Sequence, residues 1–331
     1  MPSYAEAGVD RQVRAAAKKA LEFSTPAGLR LPFNVLFPSG SAGSYWTKNS
    51  DGVGTKVLLA QLAKKHDTIG IDAIAMVAND CIRCGAQPVA FTDTIDVKKS
   101  TPELLRELAK GLDAGARESG APIVAGETAD VPELLSAEYQ INADCLGAVS
   151  EKEIIHGKVS PGDVVIGLRS SGIHSNGVSL LRRALFTQWG GRFDAAAQPD
   201  GLDRELVLEA LEPTRIYVKP LLELARRVPL KAAVHITGDA YLKFKRLGAG
   251  FEFDNFKPQP IFELLLANGV APAEFFKTFN AGWGFAVIVD RKDADSAVQA
   301  LPAKLEPQLI GRVTDKNSVT VKFKGEVLRL D

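Results

Sequence analysis

Between Val89 and Val97 the chain reads Val-Ala-Phe-Thr-Asp-Thr-Ile-Asp-Val. Val89, Phe91, Ile95 and Val97 alternate, which puts them on one face of an extended strand, and Asp93 is the middle member of that face. If the apolar face is buried, the Asp93 carboxylate goes in with it. An ionised carboxylate is costly to bury unless it is paired or holds a cation. The fold must therefore supply either a salt-bridging arginine or a metal–phosphate site at this point. Tyr139, Ile141, Ala143, Cys145, Gly147 and Val149 repeat the same period and predict a second long strand with one packed face. Between the two lies a helix with a clear start: Thr101 as cap, Pro102 at the first position and Glu103 in the first turn. Leu104, Leu105, Leu108 and Leu112 mark its buried side, and Gly120 closes it.

Upstream, Asp51-Gly-Val-Gly-Thr-Lys56 packs two glycines, a carboxylate, a hydroxyl and an ammonium into six positions. Glycines allow a sharp turn and bare N–H groups for a phosphate. A tight turn before a helix, with Asp51 and Lys56 solvated, explains the same residues equally well. Residues 9–23 read as a helix capped by Asp10, with Val13, Ala17, Ala20 and Leu21 on one face. Ser24 to Ser44 is rich in Pro, Gly and Ser and reads as a surface loop, followed by a short strand over 45–50. Helices are expected over 57–65 and 71–84, the second ending at Gly85. That second helix carries Asn79 and Asp80, which disfavour helix interiors and so sit either on a wet face or on a ligand. Residues 122–125 read as a short strand broken by the Gly126–Asp130 turn.

Gly157 to Asp163 is a polar, turn-rich join, dividing the chain into residues 1–158 and 159–331. The second part opens with a buried strand over 164–168, the turn Ser170-Ser-Gly-Ile-His-Ser-Asn-Gly177, and a helix through Leu180, Leu181 and Leu185. That geometry aims helix N–H groups at an anion, though any capped helix start needs similar residues. A strand ending at His235, another over 282–290, a helix over 293–301 and strands near 307–313 and 318–323 complete it. The fold class is mixed α/β.

The 331 residues carry 40 basic and 40 acidic side chains, so no basic field for long nucleic acid and no polybasic membrane patch exists. No apolar run approaches the roughly 18–20 residues that span a bilayer. Met1 to Glu6 lacks a signal-peptide pattern, so a cytoplasmic protein is expected. Three cysteines imply no disulfide framework, and Cys81 and Cys84 read as packed thiols. The Walker-type P-loop, the dinucleotide fingerprint, the nucleophile elbow and the H-E-x-x-H zinc motif are all absent. What remains is Asp51, Asp80, Asp93, Lys56 and the Gly126-Glu127-Thr128 turn, a set suited to Mg²⁺ held against a nucleotide phosphate chain.

Taken in order, the segments Asp51–Lys56, His66-Asp-Thr-Ile-Gly-Ile-Asp72, Asn79-Asp80, Gly126–Ala129, Ser170–Gly177, Pro213-Thr-Arg-Ile-Tyr-Val-Lys219 and His235-Ile-Thr-Gly238 resemble aminoimidazole ribonucleotide synthetases (phosphoribosylformylglycinamidine cyclo-ligases). The resemblance spans nearly the whole chain. It implies an N-terminal α/β domain whose sheet pairs with a second subunit's into a shared barrel, a C-terminal α/β sandwich domain, and therefore a homodimer. It also implies ATP, Mg²⁺ and formylglycinamidine ribonucleotide as ligands. By resemblance, Asp51, Asp80 and Asp93 would hold the metal. Gly52, Gly54, Thr55, Lys56, Asp67, Thr68, Asn79, Gly126, Glu127 and Thr128 would join Asp51 and Asp93 around the nucleotide. His174, Ser175 and Asn176 would face the substrate, and Asp51, Asp80 and His174 would be catalytic, His174 as an acid/base group that titrates near neutral pH. Three stretches depart from the family pattern: Leu31–Gly40 lacks the glycine-rich segment, Ala125-Gly126 replaces Gly-Gly, and Gly238-Asp239-Ala240 replaces a glycine run.

Overall fold

The computed structural model describes residues 4–20 and 28–331, so the predicted contribution of Leu21 lies outside the described residues. In chain order the elements are α1 (Arg11–Lys19), β1 (Leu29–Arg30), β2 (Val35–Pro38), β3 (Ser44–Gly52), α2 (Val57–Ala63), α3 (Ile69–Cys81), β4 (Gln87–Val97), α4 (Pro102–Ser119), β5 (Ile123–Asp130) and β6 (Tyr139–Ser150). There follow β7 (Val164–Arg169), α5 (Val178–Leu185), α6 (Leu206–Ala210), α7 (Val218–Arg227), β8 (Ala232–His235) and β9 (Gly250–Phe253). The chain closes with α8 (Pro260–Ala267), α9 (Pro272–Thr278), β10 (Trp283–Val289), α10 (Ala294–Ala300), β11 (Gln308–Thr314), β12 (Val319–Phe323) and β13 (Glu326–Arg329).

Six strands form one sheet in the order β1-β2-β3-β6-β4-β5, and seven form another in the order β13-β12-β9-β11-β7-β10-β8. In the first sheet only β4 and β5 run parallel, joined across by α4. The alternation read from sequence holds on β6, where Tyr139, Ile141, Ala143, Cys145, Gly147 and Val149 are all buried. On β4, Phe91, Ile95 and Val97 are buried, but Val89 is 46% exposed. A register shift between Pro88 and Ala90 turns it out of the face.

Other expectations need correction. The stretch expected as a surface loop contains β1 and β2; Leu36 is fully buried, and Asn34 donates from Nδ2 to the Asp80 carbonyl at 3.0 Å. Asp51 and Gly52 are the last residues of β3, and the turn proper is Gly54–Lys56. Gly126–Asp130 is no break: it continues β5, because β4 supplies backbone partners from Asp93 through Val97. The first helix does start on Asp10, whose Oδ1 accepts the Val13 N–H at 3.0 Å, but Val13 itself is 64% exposed. Strands β9 and β13 and helices α8 and α9 carry no sequence signal comparable to the long alternating strands.

Helix α3 is the centre of the molecule, with Ile69, Gly70, Asp72 to Asn79 and Cys81 all buried. One side packs on β3, β6 and α4, and the segment 213–217 from the second half crosses another. Close approach of α3 to α4 is set by glycine. A Cβ on Gly70 would meet the Leu112 backbone nitrogen at 2.1 Å and the Gly111 carbonyl carbon at 2.6 Å. Backbone cannot step aside as a flexible side chain can. Gly70→Ala should therefore destabilise the fold by about 1–3 kcal/mol or more, read as a lowered thermal midpoint; an unchanged midpoint would show that the helices can separate freely.

Candidate active site

The register of the first sheet aligns four residues in one row. Asp51 on β3 pairs with Ala143 on β6, Ala143 with Asp93 on β4, and Asp93 with Gly126 on β5. Directly paired residues share a face, so Asp51 and Asp93 project to the same side, about two strand spacings or ~10 Å apart at Cα. Asp93 is half-buried and makes no hydrogen bond or ion pair with the described residues. Burial alone raises its pKa above the ordinary carboxylate value. Gly126 is what leaves it room: a Cβ there would sit 2.9 Å from Asp93 Oδ2 and 3.0 Å from Oδ1. Thr128, paired with Ile95, shares the Asp93 face, whereas Glu127, paired with Thr94, points to the other. Asp51 Oδ1 accepts the Gly52 N–H at 2.8 Å.

The start of α3 lies at the same end of the sheet, because His66 is hydrogen-bonded to the Tyr139 hydroxyl at 3.0 Å. There Asp67 is held by Lys65 at 2.7 Å and Lys110 at 3.0 Å, and the Lys65 bond leads in lowering its pKa. Thr68 Oγ1 is buried without a partner among the described residues.

Asp80 is elsewhere. It closes the far end of α3, a 13-residue helix about 20 Å long. Its Oδ1 is 2.9 Å from His235 Nδ1 and its Oδ2 is 3.0 Å from the Arg83 guanidinium. Burial works against the charged form, yet Arg83 and His235 hold its carboxyl well below the usual range. The trio Asp51, Asp80 and Asp93 is thus not brought together, and among the described residues no group of three His, Cys, Asp or Glu side chains forms a metal cluster. Asn79 is fully buried and serves the join between the halves. Its amide donates to the Arg215 carbonyl and accepts the Tyr217 N–H, both at 2.9 Å.

Lys56 also turns inward. It is fully buried, donating to Asp72 Oδ1 at 2.9 Å and to the Glu212 carbonyl at 2.6 Å. The same Asp72 oxygen accepts from Ser175 Oγ at 3.0 Å, Thr214 N at 2.8 Å and Thr214 Oγ1 at 2.5 Å. Burial lowers the Lys56 pKa, and Asp72 opposes that shift. Its neighbour Thr55 is 3.0 Å from Ser179 Oγ on α5. A Cβ on Gly52 would lie 2.3 Å from Asn142 Oδ1 and displace that side chain, and Gly54 takes φ +66°.

His174, buried and at φ +61°, accepts backbone N–H groups of Ser171 (3.3 Å) and Arg215 (3.5 Å) on Nε2. The proton of the neutral ring therefore sits on Nδ1, which is buried without a partner. Burial, with His235, Lys56 and Arg215 adding to it, pushes its pKa well below the ordinary value. This corrects the expected titration near neutral pH: His174 stays an uncharged donor. Asn176 Oδ1 is likewise buried and unpartnered. Two further buried groups, His235 and Lys243, join the site in the fold without a local signal for their roles. His235 is pushed down to about 4 by burial against the pull of Asp80, with Nε2 unpartnered. Lys243 is pushed down to about 7 by burial and donates to the His235 carbonyl at 3.0 Å and to Thr237 Oγ1. The motif around His235 was visible, but nothing local announces its pairing with an aspartate 155 residues away.

Comparison with known proteins matches residues 39–149 to the family described as AIR synthase related protein, N-terminal domain, and residues 160–324 to its C-terminal domain. A phosphoribosylformylglycinamidine cyclo-ligase of Pyrococcus horikoshii is 39% identical, covering 99% of this chain and 100% of the relative. One from Pyrococcus furiosus is 40% identical, covering 98% and 99%. Among solved structures, a chain of the HypE–HypF complex shares the fold with TM-score 0.67 at 19% identity, covering 97% of this chain and 99% of that one.

The neutral His235 makes stability depend on pH. With a folded pKa of about 4 against an ordinary 6.5, the unfolded chain binds the extra proton between those values. Its contribution is present above 6.5 and is lost as pH falls toward 4. The unfolding midpoint should drop across that window, and His235→Gln should flatten this part of the profile; an equally steep profile in the variant would assign the loss to other groups.

Proposed function

The chain belongs to the phosphoribosylformylglycinamidine cyclo-ligase family, and from that membership we propose the reaction its site performs. Formylglycinamidine ribonucleotide and ATP give aminoimidazole ribonucleotide, ADP and phosphate, a step of purine biosynthesis. The formyl oxygen is a poor leaving group until the γ-phosphoryl of ATP is transferred to it. The amidine nitrogen then attacks the formyl carbon within the same molecule, and phosphate departs. The nucleophile is tethered, so proximity comes from the substrate, and the protein's burden is charge.

The observation that carries this reading is Asp93, a half-buried carboxylate with no partner among the described residues, in one row with Asp51 and Gly126. Carboxylates so placed suit Mg²⁺, which takes one or two protein oxygens and leaves its other positions to phosphate and water. Bound between Asp51 and Asp93, Mg²⁺ would supply charge neutralisation for the ATP phosphates. Gly52, Gly54 and Thr55 offer close backbone approach, Gly126 and Thr128 the adjoining edge with the Glu127 side chain on the other face, and Asp67 and Thr68 the start of α3. Lys56, Asn79 and Asp80 act from behind. Lys56 and Asn79 hold segment 212–217, and Asp80 fixes the His235 ring. His174 presents its Nδ1–H as a hydrogen-bond donor toward the substrate, flanked by Ser175 and Asn176. Residues 1–158 and 159–331 are taken as the two domains. The exposed Phe37 and Trp46, packed edge to face, with Val124 on the same sheet, favour a homodimer built on this surface.

Mixing the protein with Mg²⁺, ATP and formylglycinamidine ribonucleotide should yield ring product and ADP together. ADP formed without substrate, or no ring product, would sink the reading. Asp93→Asn should lower kcat by about 10²-fold or more, the scale on which removing one charge-stabilising group acts, with the thermal midpoint held. Light scattering should give twice the 35.5 kDa chain mass, and Trp46→Glu should shift it toward the monomer; a dimer that ignores the change would place the interface elsewhere.

A further inference from the structure

The loop after β8 carries two successive non-glycine residues in the left-handed region, Asp239 at φ +68° and Ala240 at φ +39°. Glycine is the residue that accepts this conformation most readily. Aspartate, like asparagine, is among the few other residues that adopt it, and here its side chain is engaged as well. Its Oδ1 lies 3.0 Å from Arg14 Nη2 and 3.8 Å from Arg11 Nε, both on α1, and its Oδ2 lies 4.0 Å from Arg246 Nη2. Arg11 extends the attachment: its Nη1 donates to both Glu274 oxygens at 2.9 and 3.2 Å, and its Nη2 to the Lys277 carbonyl at 3.0 Å and to Thr278 Oγ1. Helix α1 is thus clamped between this loop and α9, although the next described residues after it, from Gly28, lead into the first sheet.

The other side of the loop faces the candidate substrate residues. A Cβ on Gly238 would lie 3.9 Å from Asn176 Nδ2, and Asn176 Oδ1 is the buried, unpartnered acceptor described above. Lys243 ties the base of the loop through the His235 carbonyl and Thr237 Oγ1. The loop is therefore held at its base by Lys243 and at its tip by α1.

We propose that Asp239 is a positioning residue: its carboxylate pins α1 across the two halves of the chain, and the pinned helix fixes the Thr237–Ala240 loop as a wall beside Asn176 for the ribonucleotide substrate. The second part rests on the cyclo-ligase reading; the first does not. Asparagine tolerates the left-handed region, so Asp239→Asn keeps the loop and removes only the charge. Asp239→Gly relaxes the loop as well. The test uses the full-length enzyme, limited trypsin digestion with cleavage after Arg11 and Arg14 read by mass spectrometry, and KM and kcat for formylglycinamidine ribonucleotide.

Both variants should be cleaved about fivefold to tenfold faster in α1, the range that two or three part-exposed ion pairs support. KM should rise by a similar factor with kcat little changed. Arg14→Ala removes one cleavage site but should reproduce the faster cleavage after Arg11 and the raised KM of Asp239→Asn, and the double variant should add little to either. Wild-type cleavage rates in both Asp239 variants would overturn the pin. Faster cleavage with unchanged KM would overturn the positioning role. Failure of the wild-type protein to form ring product would remove the substrate assignment, while the cleavage rates would still decide whether Asp239 pins α1.

Discussion

The buried pair of Lys56 and Asp72 is the interaction on which the rest of the structure depends. Both side chains are fully removed from water, which is expensive for two ions unless every remaining lone pair and proton finds a partner. Here Ser175, Thr214 and the Glu212 carbonyl engage Asp72 Oδ1 and the ammonium, while Asp72 Oδ2 is buried with no hydrogen bond among the described residues. All three come from the second half of the chain, whereas Lys56 and Asp72 come from the first. Well-packed apolar residues could stabilise the join as much. What the ionic pair adds is register, since it is satisfied in only one docking of segment 212–217 on α3. Asn79 repeats the device two turns along the same helix.

That docking decides the electrostatics of the candidate site. Bringing β8 against the end of α3 adds a histidine to the arginine that Asp80 already meets three residues along its own chain, and Asp80 stays apart from the open row at the other end of the sheet. It also buries His174 and His235 as neutral rings, each with one nitrogen satisfied and one left over. The left-over nitrogens differ. On His174 it carries the proton, because two backbone N–H groups point at the other nitrogen. On His235 it is the free acceptor, because an ionised carboxylate claims the Nδ1 proton. The two rings thereby present a fixed donor and a fixed acceptor and stay uncharged near neutral pH. Asp93 is the converse case, a half-buried carboxylate on a burying face with no partner among the described residues.

Much of this was legible in the chain and some was not, for reasons that can be named. The alternation over 139–149 and 89–97, the cap of α4 and the Gly85 and Gly120 stops are local signals, and each appears where it was read, apart from the bulge that turns Val89 outward. The placement of Asp93 inside followed from period alone. The polar stretch Gly126-Glu-Thr-Ala-Asp130 reads as a turn because turn chemistry and edge-strand chemistry use the same residues, and only pairing with β4 distinguishes them. The strands hidden in 29–38 have no period long enough to register, and they form because β3 offers an edge.

What the sequence determined by itself, then, is the set of elements with strong local periodicity and the presence of a carboxylate that must be accounted for inside a sheet. The tertiary structure alone decided the partners of the charged residues. Lys56 and Asp72 are 16 residues apart, Asp80 and His235 are 155 apart, and Arg14 and Asp239 are 225 apart. A charge carries no periodicity and no short-range propensity that names its partner. Which opposite charge it meets depends on how two sheets are docked through α3, and that is a property of the packed chain.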